Sequence, residues 1–477
     1  DAAVRKVNPN ARFIPNAGGG ATSELDMKTV GEMSDILFAD RQARRGLMVP
    51  WANGKNGKEY RAALGRKPIG GIFSVGVEEP YRWKDSVQNA AEIQLWAVDG
   101  VAHGLRPWFA KFNGKPYDKR WFKPVEDLYV WHHRHERYLR NEQNLARVAL
   151  VFSQQTARFY GGEQTRARVE DHINGCYQAL VESRIPFEMV HDRKLDRANI
   201  SAFWTLVLPN IAALSDEQCG QIRDFVRRGG SVVATHETSL YDEWGKRRAD
   251  FGLADLFEAR FEGKVEPRMQ NAYINLAHPH PLLRGLEDTG RIIHGVGRVH
   301  TRHTRASRVP MTLVPSYPDL PMEDVYPRVP KTDVPAVHIH EAGAGRVVFF
   351  PWDIDRTFWE VLSTDHLALL RNAFEWATNE EPVASVRGPG VVDIAVWRQK
   401  DSVTLHLVNL TNPMMMKGPV REIVPLGAQK VRLRLPSAPR KVHLLVAGTP
   451  AKYTGSGTAI EVDVPSVGMH EVVAVDL

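Results

Sequence analysis

Three acids stand where strand-end chemistry would place them. Asp40 directly follows the apolar segment Ile36–Ala39, and Glu78 and Glu79 follow Ile69–Val75 after a two-residue gap. Carboxyl groups projecting in pairs from the ends of parallel strands are the working parts of glycoside hydrolysis. One protonates the leaving oxygen, while the other attacks the sugar or activates water, at separations of about 5–5.5 Å for retention and about 6.5–9.5 Å for inversion. Glu78 and Glu79 rank ahead of Asp40 as catalytic candidates. Their competing reading is a pair of solvated loop acids, one of them bonded to Arg82. A sugar site also needs apolar platforms for pyranose faces and polar groups for hydroxylated rims. Asn16 ends the segment that starts at Arg12, Arg41 follows Asp40, and Trp83, Trp108 and Lys111 fall around the last two loops of the region. With 12 tryptophans in the chain, a core role for Trp108 is the alternative.

Other reactive residues group less persuasively. In Trp131-His132-His133-Arg134-His135-Glu136, a helix would put His132 and Glu136 on one face and turn His133 away. The His-Glu-x-x-His spacing of a zinc helix is absent, so neither a metal nor any other cofactor is expected. Arg298, His300, Arg302, Arg305 and Arg308 form a basic strip with no interleaved aromatic residue. Such a strip reads as a charged edge strand, not as a nucleic-acid platform. The acid-bearing segment Pro318–Asp324 reads as a long irregular loop able to cap a neighbouring site.

Composition bounds these readings. A length of 477 residues corresponds to about three domains. Sixty-two basic against 56 acidic side chains leave a formal charge of +6, too diffuse to indicate a nucleic-acid partner. No apolar run approaches the roughly 18 residues of a membrane span. Two cysteines exclude a disulfide framework, and the compartment stays open between cytoplasm and export.

The elements that must hold the acids alternate between strand and helix. A helix over Asp1–Val7 and strands over Arg12–Pro15, Ile36–Ala39, Ile69–Val75 and Val101–Trp108, with a helix over Ser86–Val98, predict four β/α units. Four are half of an eight-stranded barrel, whose first half would precede Asp1. A second α/β region follows. Val148–Ser153, Thr205–Pro209 and Ser231–Thr235 read as strands buried on both faces of a doubly wound sheet. Ser215-Asp216-Glu217-Gln218 predicts a capping box, and Gly229-Gly230 the end of that helix. A Pro-rich excursion over Pro310–Pro335 precedes strand Arg346–Phe350 and helix Asp365–Trp376. From Pro382 onward, Val403–Leu407, Val431–Leu435 and Ile460–Val464 alternate with period two, as in a small antiparallel β-sandwich.

This order resembles the trimeric β-galactosidases and their glycoside-hydrolase relatives. Lys67–Phe73 followed by Trp83 is similar to the seventh barrel strand and its loop. Ile93–Trp96 with Val101-Ala102-His103-Gly104 is similar to the helix and eighth strand. Ala146–Phe152 resembles the first strand of the family's amidotransferase-like trimerisation domain, and Asp224–Val226 with Gly229–Val233 its helix-to-strand turn. The resemblance implies a partial barrel over 1–147, a trimerisation domain over 148–381 and a β-sandwich over 382–477. It also implies a carbohydrate substrate and a homotrimer. One departure stands out: the position of the family's nucleophilic Glu falls near Val75 and Gly76, ahead of Glu78 and Glu79. The general acid belongs after the fourth barrel strand, so residues 1–477 alone are expected to be inert. A noncatalytic sugar-binding or scaffold protein is the alternative. Class I amidotransferases carry a Cys at a strand-to-helix elbow; here His236 and Glu237 follow Ser231–Thr235, while Cys176 and Cys219 fall in helices, which favours assembly over amidotransfer.

Overall fold

In the computed structural model, every residue is described except 1, 13, 15, 78–80, 82, 112–113, 306–308 and 414–416, and 16–17 are described in backbone only. The chain divides into two compact units. One is Asp1–Ala146 with Arg184–Glu188 and Pro382–Leu477; the other is Arg147–Ser183 with Met189–Glu381.

The first unit begins with helix α1 (Ala2–Val7) and a parallel sheet in the order β1 (Asn16–Ala17), β2 (Leu37–Ala39), β3 (Ile69–Ser74) and β4 (Arg106–Ala110). Helices α2 (Met27–Met33), α3 (Ala52–Leu64), α4 (Ala90–Ala102) and α5 (Phe122–Arg134) alternate with and follow the strands. In β1, Asn16 and Ala17 pair with Phe38 and Ala39; of the expected strand Arg12–Pro15, residues 13 and 15 lie outside the described residues. Leu37, Ala39 and Ile69 point one way, into a core with Met27, Tyr60, Ala63 and Leu64 of α2 and α3. Phe38, one residue out of phase, therefore stands on the opposite face.

Helix α4 is displaced from the sequence expectation by four residues at each end. Asn89 caps it by accepting from the Glu92 N–H, whereas Ser86 stays in the preceding loop. Val101 and Ala102, expected in a strand, complete the helix. Gly104 then turns the chain with φ of 90°, and the Leu105 N–H bonds back to Gly100 O at 2.9 Å. A side chain at 104 would also collide with the Arg61 guanidinium.

The C-terminal part of this unit is a sandwich of two antiparallel sheets around a core that includes Ile394, Leu405, Val431, Leu433, Val462 and Val473. Gln429–Arg434 shows the expected alternation of buried and exposed residues. Ser402–Asn409 does not: it is buried along its whole length. Its outer face is covered by α4, and Val101, Tyr138 and Leu139 pack beside it against Val472 and Ala474.

The second unit is built on a six-stranded sheet in the order His338–Ala342, Gly345–Phe350, Ser231–Thr235, Thr205–Leu208, Val148–Phe152 and Phe187–His191. The pairings from Gly345–Phe350 through Val148–Phe152 are parallel, and His338–Ala342 is antiparallel. Strands Val148–Phe152, Thr205–Leu208 and Ser231–Thr235 are buried at every residue, which their continuous apolar runs require. The capping box at Ser215 forms with both of its reciprocal bonds, and Gly229 ends that helix region with φ of 95°. Among the described residues, no helix is long and apolar enough to cross a membrane.

Candidate functional site

The carboxyl ends of β2, β3 and β4 gather the loops that carry the sequence candidates. After β2, Asp40 is half-buried, and its Oδ1 accepts from Gln42 Nε2 at 2.8 Å. Gln42 O in turn accepts from the Ser74 N–H at 2.8 Å, which ties the Asp40 loop to the end of β3. The hydroxyl of Tyr60 accepts from the Asp40 backbone; burial pushes its pKa up, so it stays neutral beside Arg41. Arg41 is half-buried next to Asp40, and Arg44 reaches both carboxylate oxygens of Glu92, in the first turn of α4, at 3.1 Å.

The loop after β3 is pinned at its two ends. Gln88 donates from its backbone to Val75 O and from Nε2 to Gly76 O, each at 2.7 Å. Ser86 Oγ accepts from the Val77 N–H at 2.8 Å and donates to Trp83 O at 2.6 Å. Glu78 and Glu79 lie outside the described residues, on the span between Val77 and Tyr81. Beyond it, Tyr81 and Trp83 form an exposed ring pair 5.0 Å apart, with Trp83 57% exposed.

Trp108 on β4 is 42% exposed and lies over Phe38, with ring centroids 4.0 Å apart. Gly70 permits this approach, because any Cβ there would meet the Phe38 ring at 2.1 Å. Lys111 Nζ donates to Lys84 O at 2.6 Å and Ser86 O at 3.3 Å, so it binds the β4 end to the β3 loop. Asn16 is placed by its backbone on β1, opposite Phe38. The structure therefore brings the loops of Asp40, Arg41, Trp83 and Lys111 to one edge of one sheet, with Trp108 inside β4 opposite Ile72. Sequence reading missed Gln42, Tyr60 and the Arg44–Glu92 pair. Only Glu92 had a local signal, three residues after a capping Asn.

His132 and Glu136 do not share a helix, since α5 stops at Arg134 and Glu136 opens a separate 3-10 turn. Burial lowers the His132 pKa, and Glu136 accepts from Arg140. In the basic strip, His300 faces Glu266 at 3.1 Å and Arg305 faces Glu258 at 2.9 Å on a two-stranded ribbon. Arg308 lies outside the described residues.

Comparison with known proteins places this geometry. Residues 146–257 match the family model of the beta-galactosidase trimerisation domain. The chain is similar over 100% of its length to α-L-fucosidase isoenzyme 2 from Paenibacillus thiaminolyticus, with a TM-score of 0.76, 16% identity and 69% of that chain covered. It is likewise similar over 100% of its length to the β-galactosidase from Bacillus circulans sp. alkalophilus, with a TM-score of 0.70, 14% identity and 65% of that chain covered. The β-galactosidase from the haloarchaeon Halorubrum lacusprofundi gives a TM-score of 0.61 at 16% identity, again over 100% of this chain and 65% of the other. The chain shares the β-galactosidase fold. It spans about two thirds of the length of these structures. No curated protein matches the sequence.

The trimerisation-domain match covers the elbow where an amidotransferase would hold its nucleophile. His236 occupies that turn with φ of 51° and is buried, and both cysteines are buried in helices. Next to it, Asp355 accepts from His172 Nδ1 and from Thr235 Oγ1, each at 2.7 Å. Burial opposes the charge on Asp355, but His172 and Thr235 hold its pKa below the usual range. Cys176 Sγ is 3.9 Å from the same carboxylate, and burial first, then that negative charge, push its thiol pKa well up. A neutral thiol inside a helix is no nucleophile.

Proposed function

We propose that this protein is a glycoside hydrolase whose sugar site lies at the carboxyl ends of β2–β4, with Glu78, Glu79 and Asp40 as its acids. What supports the reading is the bond that ties the Asp40 loop to the end of β3, together with the exposed Trp83 and Trp108. In this reading β1–β4 form half of a β/α barrel, and a second carboxyl group comes from a further segment of the same protein. Trp108 and Trp83 offer a pyranose the flat apolar surfaces it needs, while Arg41 and Asn16 address its hydroxyls. Residues 148–381 assemble the protein as a homotrimer, a role suggested by the trimerisation-domain match over 146–257.

Kinetics on the full-length protein test this directly. Glu78→Gln or Glu79→Gln is expected to leave the fold intact and to cut turnover by orders of magnitude, because a charged or proton-donating form is lost. Residues 1–477 alone are expected to bind sugar weakly and cleave nothing. Sugar binding by the full-length protein with no hydrolysis of any aryl glycoside would turn the reading toward a binding protein of the same fold.

A further inference from the structure

Away from the strand ends, the first unit buries a cluster that the glycosidase reading does not use. Asp99 and His103 stand one helical turn apart at the end of α4, and Asp393 comes from strand Val392–Arg398 of the sandwich. All three are at most 2% exposed. One ligand atom from each lies within 4.8 Å of the others, with His103 Nε2 at 2.9 Å from Asp393 Oδ2 and 3.8 Å from Asp99 Oδ1. Asp99 Oδ2 accepts from the Gly54 N–H, but Asp99 Oδ1 has no hydrogen-bond partner. His103 Nδ1 has none either, so no second bond commits the ring to one tautomer.

Helix α3 keeps the space in front of these atoms open. A Cβ at Gly54 would sit 2.5 Å from the His103 ring and 2.8 Å from Asp99 Oδ1, filling the approach to both. One turn further along α3, Lys58 Nζ stands 3.9 Å from Asp393 Oδ2. Lys58 and Arg61 are the cations that act on the three buried carboxylates Asp99, Glu188 and Asp393.

We infer that Asp99, His103 and Asp393 form a structural site for a first-row divalent metal ion, Zn²⁺ or a close analogue, which cross-links helix α4 to the C-terminal sandwich. One imidazole and two carboxylates are a donor set that such ions accept, and an orphaned carboxylate oxygen supplies a lone pair with nothing else to meet. The site is independent of the strand-end carboxylates and stands or falls without them.

The test is metal binding by the whole protein after dialysis against EDTA. Expected are one Zn²⁺ retained per chain after desalting, ligand-field absorption on adding Co²⁺, and a Zn²⁺-dependent rise in melting temperature that EDTA reverses. Asp99→Asn is expected to weaken binding by at least about tenfold. If that variant fails to fold, the wild-type titration still decides, with His103→Gln as a second variant. No retained metal, no Co²⁺ absorption and no Zn²⁺-dependent melting shift in the wild type would overturn the inference, and would leave a proton on Asp99 as what closes the cluster.

Discussion

The molecule contains two parallel sheets that follow the same construction rule and treat their polar groups in opposite ways. In the second unit, the end of strand Ser231–Thr235 is sealed: His236 is buried, Asp355 is committed to His172 and Thr235, and Glu237 accepts from Tyr160 and Tyr241. In the first unit, the ends of β2–β4 leave Trp83 and Trp108 exposed and keep Asp40 half in contact with solvent. The carboxyl end of a parallel sheet is a general place for chemistry. What distinguishes the two ends is access: the second unit buries its polar groups, His236 among them with neither ring nitrogen hydrogen-bonded, and the first leaves its own within reach of solvent. That difference in access fits the proposal that the second unit serves assembly and the first carries the reaction.

The largest effect that would sharpen this contrast is on rate. Asp40→Asn in the full-length protein is expected to lower turnover by about 10²–10⁴-fold if the residue handles a proton, whereas Cys176→Ala should leave turnover unchanged. A rate loss of similar size from Cys176→Ala would erase the distinction between the two sheets. Stability should show the reverse ranking. Asp355→Ala strips His172 and Thr235 of a buried acceptor and is expected to cost about 3–5 kcal/mol in chemical denaturation. Asp40→Asn, half-exposed, should move the denaturation midpoint very little.

A smaller effect concerns pH and should appear in both units. Burial lowers His294 in the second unit to about 4, and likewise lowers His470 in the first to about 4. Because their folded pKa lies below the unfolded value of about 6.5, the unfolded chain takes up protons first as pH falls. Stability from these residues is full above pH 6.5 and declines toward pH 4, by a few kcal/mol in all. Melting curves across that range check it, and His470→Gln should flatten part of the slope. The smallest effect belongs to the exposed Arg120–Asp118 pair, where Arg120→Ala should leave melting unchanged.

Much of the scaffold was legible in the sequence because local chemistry specifies it. The Ser215–Gln218 box, the continuous apolar strands of the second unit and the alternation of Gln429–Arg434 each carry their own signal. The misplacement of α4 has a local cause too, since Ser86 and Asn89 are both good caps and only the loop bonding to Val77 selects between them. Strand Ser402–Asn409 misled for a nonlocal reason: its outer face is covered by a helix far away in sequence. The same holds for the buried cluster, where His103 and Asp393 are 290 positions apart and neither carries a motif. In the proposed strand-end site, the candidate aromatic and acidic residues were chosen from their positions around apolar runs. The tie from Gln42 O to the Ser74 N–H could not be read in this way, because a backbone bond between loops leaves no trace in residue type.

The central claim is that the strand-end acids of the first unit cleave a glycosidic bond. It is tested most directly by assaying aryl galactosides, fucosides and arabinosides with the full-length protein and its Glu78→Gln and Glu79→Gln variants side by side. Turnover of at least one class is expected from the wild type, with a loss of orders of magnitude in at least one variant whose fold and sugar binding persist. An active wild type whose rate is unchanged in both variants would contradict it.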